Sequence, residues 1–123
     1  MKRMRSMTGY SFADVVLIDF LQVTGDKKRR PALVILDIGD ADIVLAPITT
    51  KERDGEGDYK LKDWQQSGLL RDSWVRLAKI TCMSKNDITR HLGQITGYDQ
   101  KKIVALWQRL YKLPLNPQLP GTL

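Results

Sequence analysis

Residues 27–50 read KKRRPALVILDIGDADIVLAPITT, two apolar runs on either side of a short polar turn. "PALVILDI" (31–38) and "IVLAPITT" (43–50) are rich in Val, Ile, Leu and Thr, which suit a pleated surface. "GDAD" between them carries turn residues, and Pro31 opens its run, a position where a strand tolerates proline. Upstream, "DVVLIDFL" (14–21) has the same strand composition, and "QVTGDKKRR" (22–30) reads as a polar loop turning near Gly25. Three apolar strands with short connections predict a meander folding onto itself.

The flanks are read the same way. "KERDGEGDYK" (51–60) is polar and contains Gly55 and Gly57, as a mobile loop would. "LKDWQQSGLL" (61–70) predicts one short helical turn stopped by Gly68. "SWVRLAKITCMS" (73–84) returns to strand composition, with Trp74, Arg76 and Ala78 on one face and Val75, Leu77 and Lys79 on the other. "SKNDITRHL" (84–92) predicts a short helix capped by Ser84 and ended by Gly93. The clearest helix is the last: Thr96 and Asp99 are its caps, and Ile103, Leu106, Trp107 and Leu110 recur at helical spacing. The tail from 114 to 123, with Pro114, Pro117 and Pro120, reads as extended. The expected fold is mainly β with helices (α+β), a small SH3-like β-barrel with a C-terminal helix, in a single domain over 1–123 with its core at about 12–113.

Composition narrows the function. With 123 residues the chain supports one real core, and 42% hydrophobic against 28% charged residues is ordinary for a globule. A net charge of +6 favours a polyanionic partner such as nucleic acid or an acidic protein. One histidine and one cysteine cannot make any usual zinc set, so no metal or other cofactor is expected. "LDIGDAD" (36–42) lacks calcium-loop spacing, and its acids read as turn caps. No glycine-rich phosphate loop is present. His91 reads as a surface or partly packed residue, and Cys82 as a small buried hydrophobe in a reducing cytoplasm. "MKRMRSMTGYSF" (1–12) has cations but no apolar core of a signal peptide, and no segment reaches membrane-span length.

A reaction that needs no metal, cofactor or histidine is RNA cleavage by the substrate's own 2′-hydroxyl. The protein then aligns the 2′-oxygen with phosphorus and stabilises charge on the phosphorane oxygens. Arginine suits the second task, because its planar fork of donors fits phosphate and stays charged. The "KKRR" row is either such a site or a solvated charged loop.

"DVVLIDF…KKRRPALVI…IVLAPITT…SWVRLAKITCMSK…LGQI" resembles the MazF/PemK (Kid) family of toxins from type II toxin–antitoxin systems. The resemblance runs from about Phe12 to the end of the last helix, and "RRPALVI" with "APIT" is its most specific part. It implies an SH3-like barrel, a homodimer, and a metal-independent endoribonuclease that cuts single-stranded RNA and is silenced by a cognate antitoxin. Carried over by position, Arg30 is the transition-state stabiliser and Thr49 faces it across the scissile phosphate. Lys27, Lys28 and Arg29 would then attract the RNA backbone, with Thr50 and Arg76 as further RNA contacts.

The chain also departs from the pattern. Ala13-Asp14 stands where many members have Gly-Asp or Gly-Glu, a harmless change if the backbone there keeps a negative φ. PemK-type members have an acid two residues after the arginine matched by Arg76, and Ala78 stands there instead. Asp26 is a loose match to a loop glutamate of some relatives, so the general base stays open. Arg76 either reaches phosphate or pairs with a carboxylate, and Trp74 either stacks a base or packs in the core or an interface. Two readings compete with the nuclease: a non-catalytic DNA-gyrase binder of CcdB type, which shares the fold, and an RNA-binding module that has lost cleavage.

Overall fold

The computed structural model describes residues 9–21 and 23–115. In chain order its elements are β1 (Asp14–Leu21), β2 (Lys27–Leu36), β3 (Asp42–Thr49), β4 (Asp58–Lys60), β5 (Trp74–Arg76), β6 (Thr81–Ser84), β7 (Ile88–Gln94) and α1 (Gly97–Leu110). The seven strands form one sheet in the order β4–β5–β3–β2–β1–β7, with β6 also paired to β3. Every pairing is antiparallel. The fold is therefore mainly β with a C-terminal helix, as the apolar runs predict. Residues 1–8 and the tail beyond Leu115 lie outside the described residues.

Both faces of the central strands are covered, which is why their sequences are apolar without alternation. On one face Val15, Leu33, Ala46 and Ile48 pack with Leu77 and with Ile103 and Leu106 of α1. On the other, Val16, Ile18, Ala32, Val34, Ile43 and Leu45 form a second cluster under Tyr10, Phe20, Met83 and Ile88. The helix stripe falls as its spacing predicts, with Ile103 and Leu106 buried and Trp107 and Leu110 packed against the first cluster.

Several local expectations are corrected. The cations 27–30 do not lie in a loop: they are the first residues of β2, paired with Leu21 to Ile18 of β1. Pro31 consequently lies inside the strand. It falls one residue past Ala32↔Pro47, where the β2–β3 pairing ends. The stretch 73–84 is not one strand, because a 3-10 turn at Leu77–Lys79 separates β5 from β6. After a 3-10 turn capped by Ser84, whose hydroxyl accepts from Asn86 N at 3.1 Å, residues 88–94 continue as β7 rather than as a helix. Gly93 ends no helix. A Cβ there would meet the Ser67 carbonyl oxygen at 2.5 Å, so its lack of side chain lets β7 cross the turn that Gly68 ends at φ 88°. The polar stretch 51–60 supplies the short edge strand β4, and Cys82 is exposed.

Ala13 is fully buried yet adopts φ 86°, the left-handed region that an L-residue enters at a cost of about 1–2 kcal/mol. The conformation is held because Ala13 N donates to Val34 O at 3.1 Å and Ile95 N donates to Ala13 O at 3.0 Å. This residue ties β2 to the entrance of α1, so the Gly-to-Ala departure is not conformationally neutral. Ala13→Gly is expected to raise the urea midpoint, stabilising the fold by about 1 kcal/mol. A lowered midpoint would show that the methyl's packing outweighs the strain.

Lys85 and Asp37 form a buried ion pair at 2.7 Å. Asp37 also accepts from Tyr10 N and Gly39 N, each at 2.8 Å. Burial by itself raises the Asp37 pKa, but the Lys85 and backbone donors outweigh it and hold the carboxyl below its ordinary value. Stability from this group is therefore present above its unfolded pKa and is lost as pH falls through the lower folded value. Lys85→Ala leaves the carboxylate buried and unpaired, so a loss on the order of 3–5 kcal/mol is expected in denaturant titration at neutral pH, shrinking in acid. An equal loss at all pH values would remove the ion pair from the account.

Candidate nucleic-acid interface

Residues directly opposite one another on adjacent strands share a face of the sheet. Ile18 opposes Arg30 across β1–β2, Thr49 opposes Trp74 across β3–β5, and Trp74 opposes Lys60 across β5–β4. The β2–β3 register runs Val34↔Leu45, Leu33↔Ala46, Ala32↔Pro47, and then β3 leaves β2 and pairs with β5. Continued past the fork, that register sets Arg30 opposite Thr49. One transverse row therefore carries Arg30, Thr49, Trp74 and Lys60 on the same face. Neither Pro31 nor Pro47 has an N–H to donate, so the ladder lacks donors where the strands part.

Arg30 is exposed, and its guanidinium makes no hydrogen bond or ion pair among the described residues. Thr49 is half-buried; its Oγ1 accepts from Lys51 N at 3.1 Å, which leaves its hydroxyl proton to donate elsewhere. Thr50 follows in an exposed bend. The four cations divide between faces. Lys28 opposes Phe20 and shares the face of Arg30, whereas Lys27 and Arg29 alternate to the other. There Arg29 Nε lies 3.1 Å from Asp19 Oδ1. In the loop after Thr49, Arg53 holds a buried Nε with no hydrogen-bond partner.

Arg76 is held by a carboxylate: its Nε lies 3.1 Å from Asp58 Oδ1, directly opposite in the β4–β5 register. The Asp58 side chain is only 4% exposed, and its Oδ2 accepts from Gly55 N at 3.0 Å. The acid missing at Ala78 is thus matched in space by a carboxylate from another strand, one already committed to structure. Trp74 is buried under the Lys60 ammonium, 5.4 Å from the ring centroid, which answers for packing rather than an open stacking face. His91 is exposed on β7, with Nε2 3.4 Å from Asp14 Oδ1. Asp26 is exposed and accepts from the Thr24 hydroxyl at 3.4 Å.

A second arrangement adjoins the row and went unread in the sequence. Asp99, fully buried, accepts from the Tyr59 hydroxyl at 2.6 Å, from Lys62 N at 3.1 Å and from Asp63 N at 2.9 Å. Thr96 Oγ1 donates to Asp63 Oδ2 at 2.6 Å. Burial and the Asp99 carboxylate push the Tyr59 hydroxyl above its ordinary pKa, so it remains a donor. Asp99 looked only like a helix cap; its partners lie some forty residues upstream, and no local spacing signals them.

The fold and the row define a small β-barrel protein with a helix on one side and a basic, hydroxyl-bearing fork at one edge. Residues 11–111 match the family described as PemK-like, MazF-like toxin of type II toxin–antitoxin system. The chain belongs to that family. Among solved structures it is similar to an endoribonuclease in complex with its cognate antitoxin from Mycobacterial species, at 19% identity and TM-score 0.67, covering 88% of this chain and 100% of that one. It is also similar to the Mycobacterium tuberculosis toxin MazF-mt6, at 18% identity and TM-score 0.66, covering 83% and 99%. No curated relative matches the sequence.

The contrast between the two arginines is testable. Arg76→Ala leaves Asp58 buried without its cation and is expected to cost about 2 kcal/mol in chemical denaturation. Arg30→Ala removes an exposed side chain with no hydrogen bond or ion pair among the described residues and is expected to shift stability by less than about 0.5 kcal/mol. A large loss on Arg30→Ala would make that residue structural.

Proposed function

We propose that this toxin is an endoribonuclease that cuts single-stranded RNA in the cytoplasm without a metal ion, acts as a homodimer, and is silenced by a cognate antitoxin. The observation that carries the reading is the unpaired Arg30 guanidinium, set by register opposite Thr49 where β2 and β3 part. Lys28 is the member of the cation row best placed to hold RNA near Arg30, and Lys27 and Arg29 add attraction from the other face. Thr50 borders the site, and Arg76, neutralised by its pair with Asp58, serves the sheet rather than the RNA. The net charge of +6 suits both RNA and an acidic antitoxin segment.

In the proposed reaction the 2′-oxygen attacks the adjacent phosphorus while its proton passes to water or to Asp26. A P–O bond to the 2′-oxygen forms and the P–O5′ bond breaks, leaving a 2′,3′-cyclic phosphate. The departing 5′-oxygen takes up a proton. Arg30 stabilises the phosphorane oxygens as charge builds on them, and the Thr49 hydroxyl adds one donor. Arg30 does this through the charge and the planar donor fork of its guanidinium.

The test is incubation of purified protein with a mixed-sequence single-stranded RNA in EDTA. Wild type is expected to cut, and Arg30→Ala to lose cutting by more than a hundredfold while still folded. Thr49→Ala is expected to be slower by roughly 10- to 150-fold, the value of a hydrogen bond to a charged group, ~1.5–3 kcal/mol. Undiminished cutting by folded Arg30→Ala would remove that residue from the mechanism. Absence of cutting by wild type, with inhibition of gyrase supercoiling, would replace the nuclease by the CcdB-type reading.

A further inference from the structure

Beyond the row, Tyr59, Lys60, Lys62, Asp72, Tyr98 and Lys102 line an open depression of about 600 Å3. Its rim is basic and aromatic. The Lys62 ammonium lies 4.3 Å from the centroid of Tyr98, and the Lys102 ammonium lies 5.5 Å from it. Tyr98 is 47% exposed. Lys60, Lys62 and Lys102 are exposed, and none makes an ion pair with a carboxylate among the described residues. Of the nearby acids, Asp63 accepts from Thr96, Asp99 is buried among its own donors, and Asp72 alone lines the depression.

The floor is fixed. Asp99 holds the Lys62 and Asp63 backbone amides and the Tyr59 hydroxyl. It thereby clamps the lysine-bearing segment to the start of α1, where Tyr98 lies in the first turn and Lys102 one turn on. Lys60 belongs to both places: it lies over Trp74 in the transverse row and it lines the depression. From Arg30 on β2 to Lys60 on β4 is three interstrand steps, at least about 14 Å. The row shares the face of Ala32 and Val34, whereas Tyr59, Leu61 and α1 lie on the other side of the sheet, so row and depression meet around the β4 edge at Lys60. The depression itself offers ammonium groups for phosphate and ring faces for a base.

We propose that this depression is a second RNA subsite, which binds a nucleotide flanking the cleaved bond through phosphate contacts to Lys60, Lys62 and Lys102 and base stacking on Tyr98. It rests on the reading of the fork as the cleavage site. In this arrangement the lysines resting on Tyr98 turn to phosphate and release a ring face to the base. RNA is the favoured occupant over an acidic peptide because Lys60 joins the pocket, around the β4 edge, to the row that ends at Arg30, and because the pocket presents an exposed ring as well as charge. The subsite contributes to affinity and to the length of RNA required; it touches no reacting atom.

The test compares wild type, Lys62→Gln/Lys102→Gln, Lys62→Arg/Lys102→Arg and Tyr98→Ala, each confirmed folded by its melting curve. Binding is measured with a 2′-O-methyl single-stranded RNA, which cannot be cut, across a series of salt concentrations, and cleavage with the unmodified RNA. The glutamine pair is expected to lower the slope of log K against log salt by about 1.4. It should raise KM about tenfold with kcat unchanged, while the arginine pair restores both. Tyr98→Ala is expected to weaken binding severalfold with the salt slope intact. An unchanged slope and KM in the glutamine pair, with wild type still cutting, would overturn the subsite alone. Weakened antitoxin binding with RNA affinity unchanged would overturn it in favour of a protein-docking surface. Wild type that neither binds nor cuts RNA would overturn the nuclease reading, and the subsite with it.

Discussion

The parting of β2 from β3 is the constraint on which the rest of the site depends. Up to Ala32↔Pro47 the two strands share a regular ladder; beyond it β3 turns to β5. A proline on each strand removes a donor at the fork, so continuing the ladder there would leave carbonyls without partners. Strand alternation beyond the last pair puts Arg30 and Thr49 on the same face of the sheet.

The anchors behind the fork explain how it stays open. β2 is fixed on both faces by apolar contacts, through Leu33 to the helix side and through Ala32 and Val34 to the opposite cluster. Its far end is tied by Ala13, whose positive φ allows hydrogen bonds to both Val34 and Ile95. A buried residue held in that region, at a cost of about 1–2 kcal/mol, persists only where its surroundings over-determine it. The strain lies away from the fork, in the joint between sheet and helix.

Two ion pairs mark the difference between charge used for structure and charge left for a partner. Lys85–Asp37 and Arg76–Asp58 each have a nearly buried carboxylate with further backbone donors. Arg30, Lys60, Lys62 and Lys102 have no carboxylate partner among the described residues. Arg30 and Lys60 share one face of the sheet, and Lys60 meets Lys62 and Lys102 around the β4 edge. In a protein of net charge +6, the cations without partners are the ones a polyanion can reach.

The sequence by itself determined the strand content, the C-terminal helix and the identity of Arg30 and Thr49 as candidates. Apolar β-branched runs and a helical stripe are local patterns, and the block "RRPALVI" with "APIT" is specific in its own right. The turn caps at Asp37, Asp40 and Ser84 were legible for the same reason, since each bonds a backbone amide two residues on. What the sequence misjudged depended on long-range pairing. The cations of β2 looked like loop because four like charges disfavour a strand, yet β1 lies alongside and imposes the ladder. Residues 88–92 looked helical, but β1 draws them into β7. The tertiary structure alone decided that Asp58 meets Arg76, that Asp99 gathers donors from β4 and its following loop, and that Lys60, Lys62 and Lys102 share one depression. The β4–β5 ladder brings Asp58 to Arg76, and packing of α1 against the sheet brings Asp99 and Lys102 to residues about forty positions upstream.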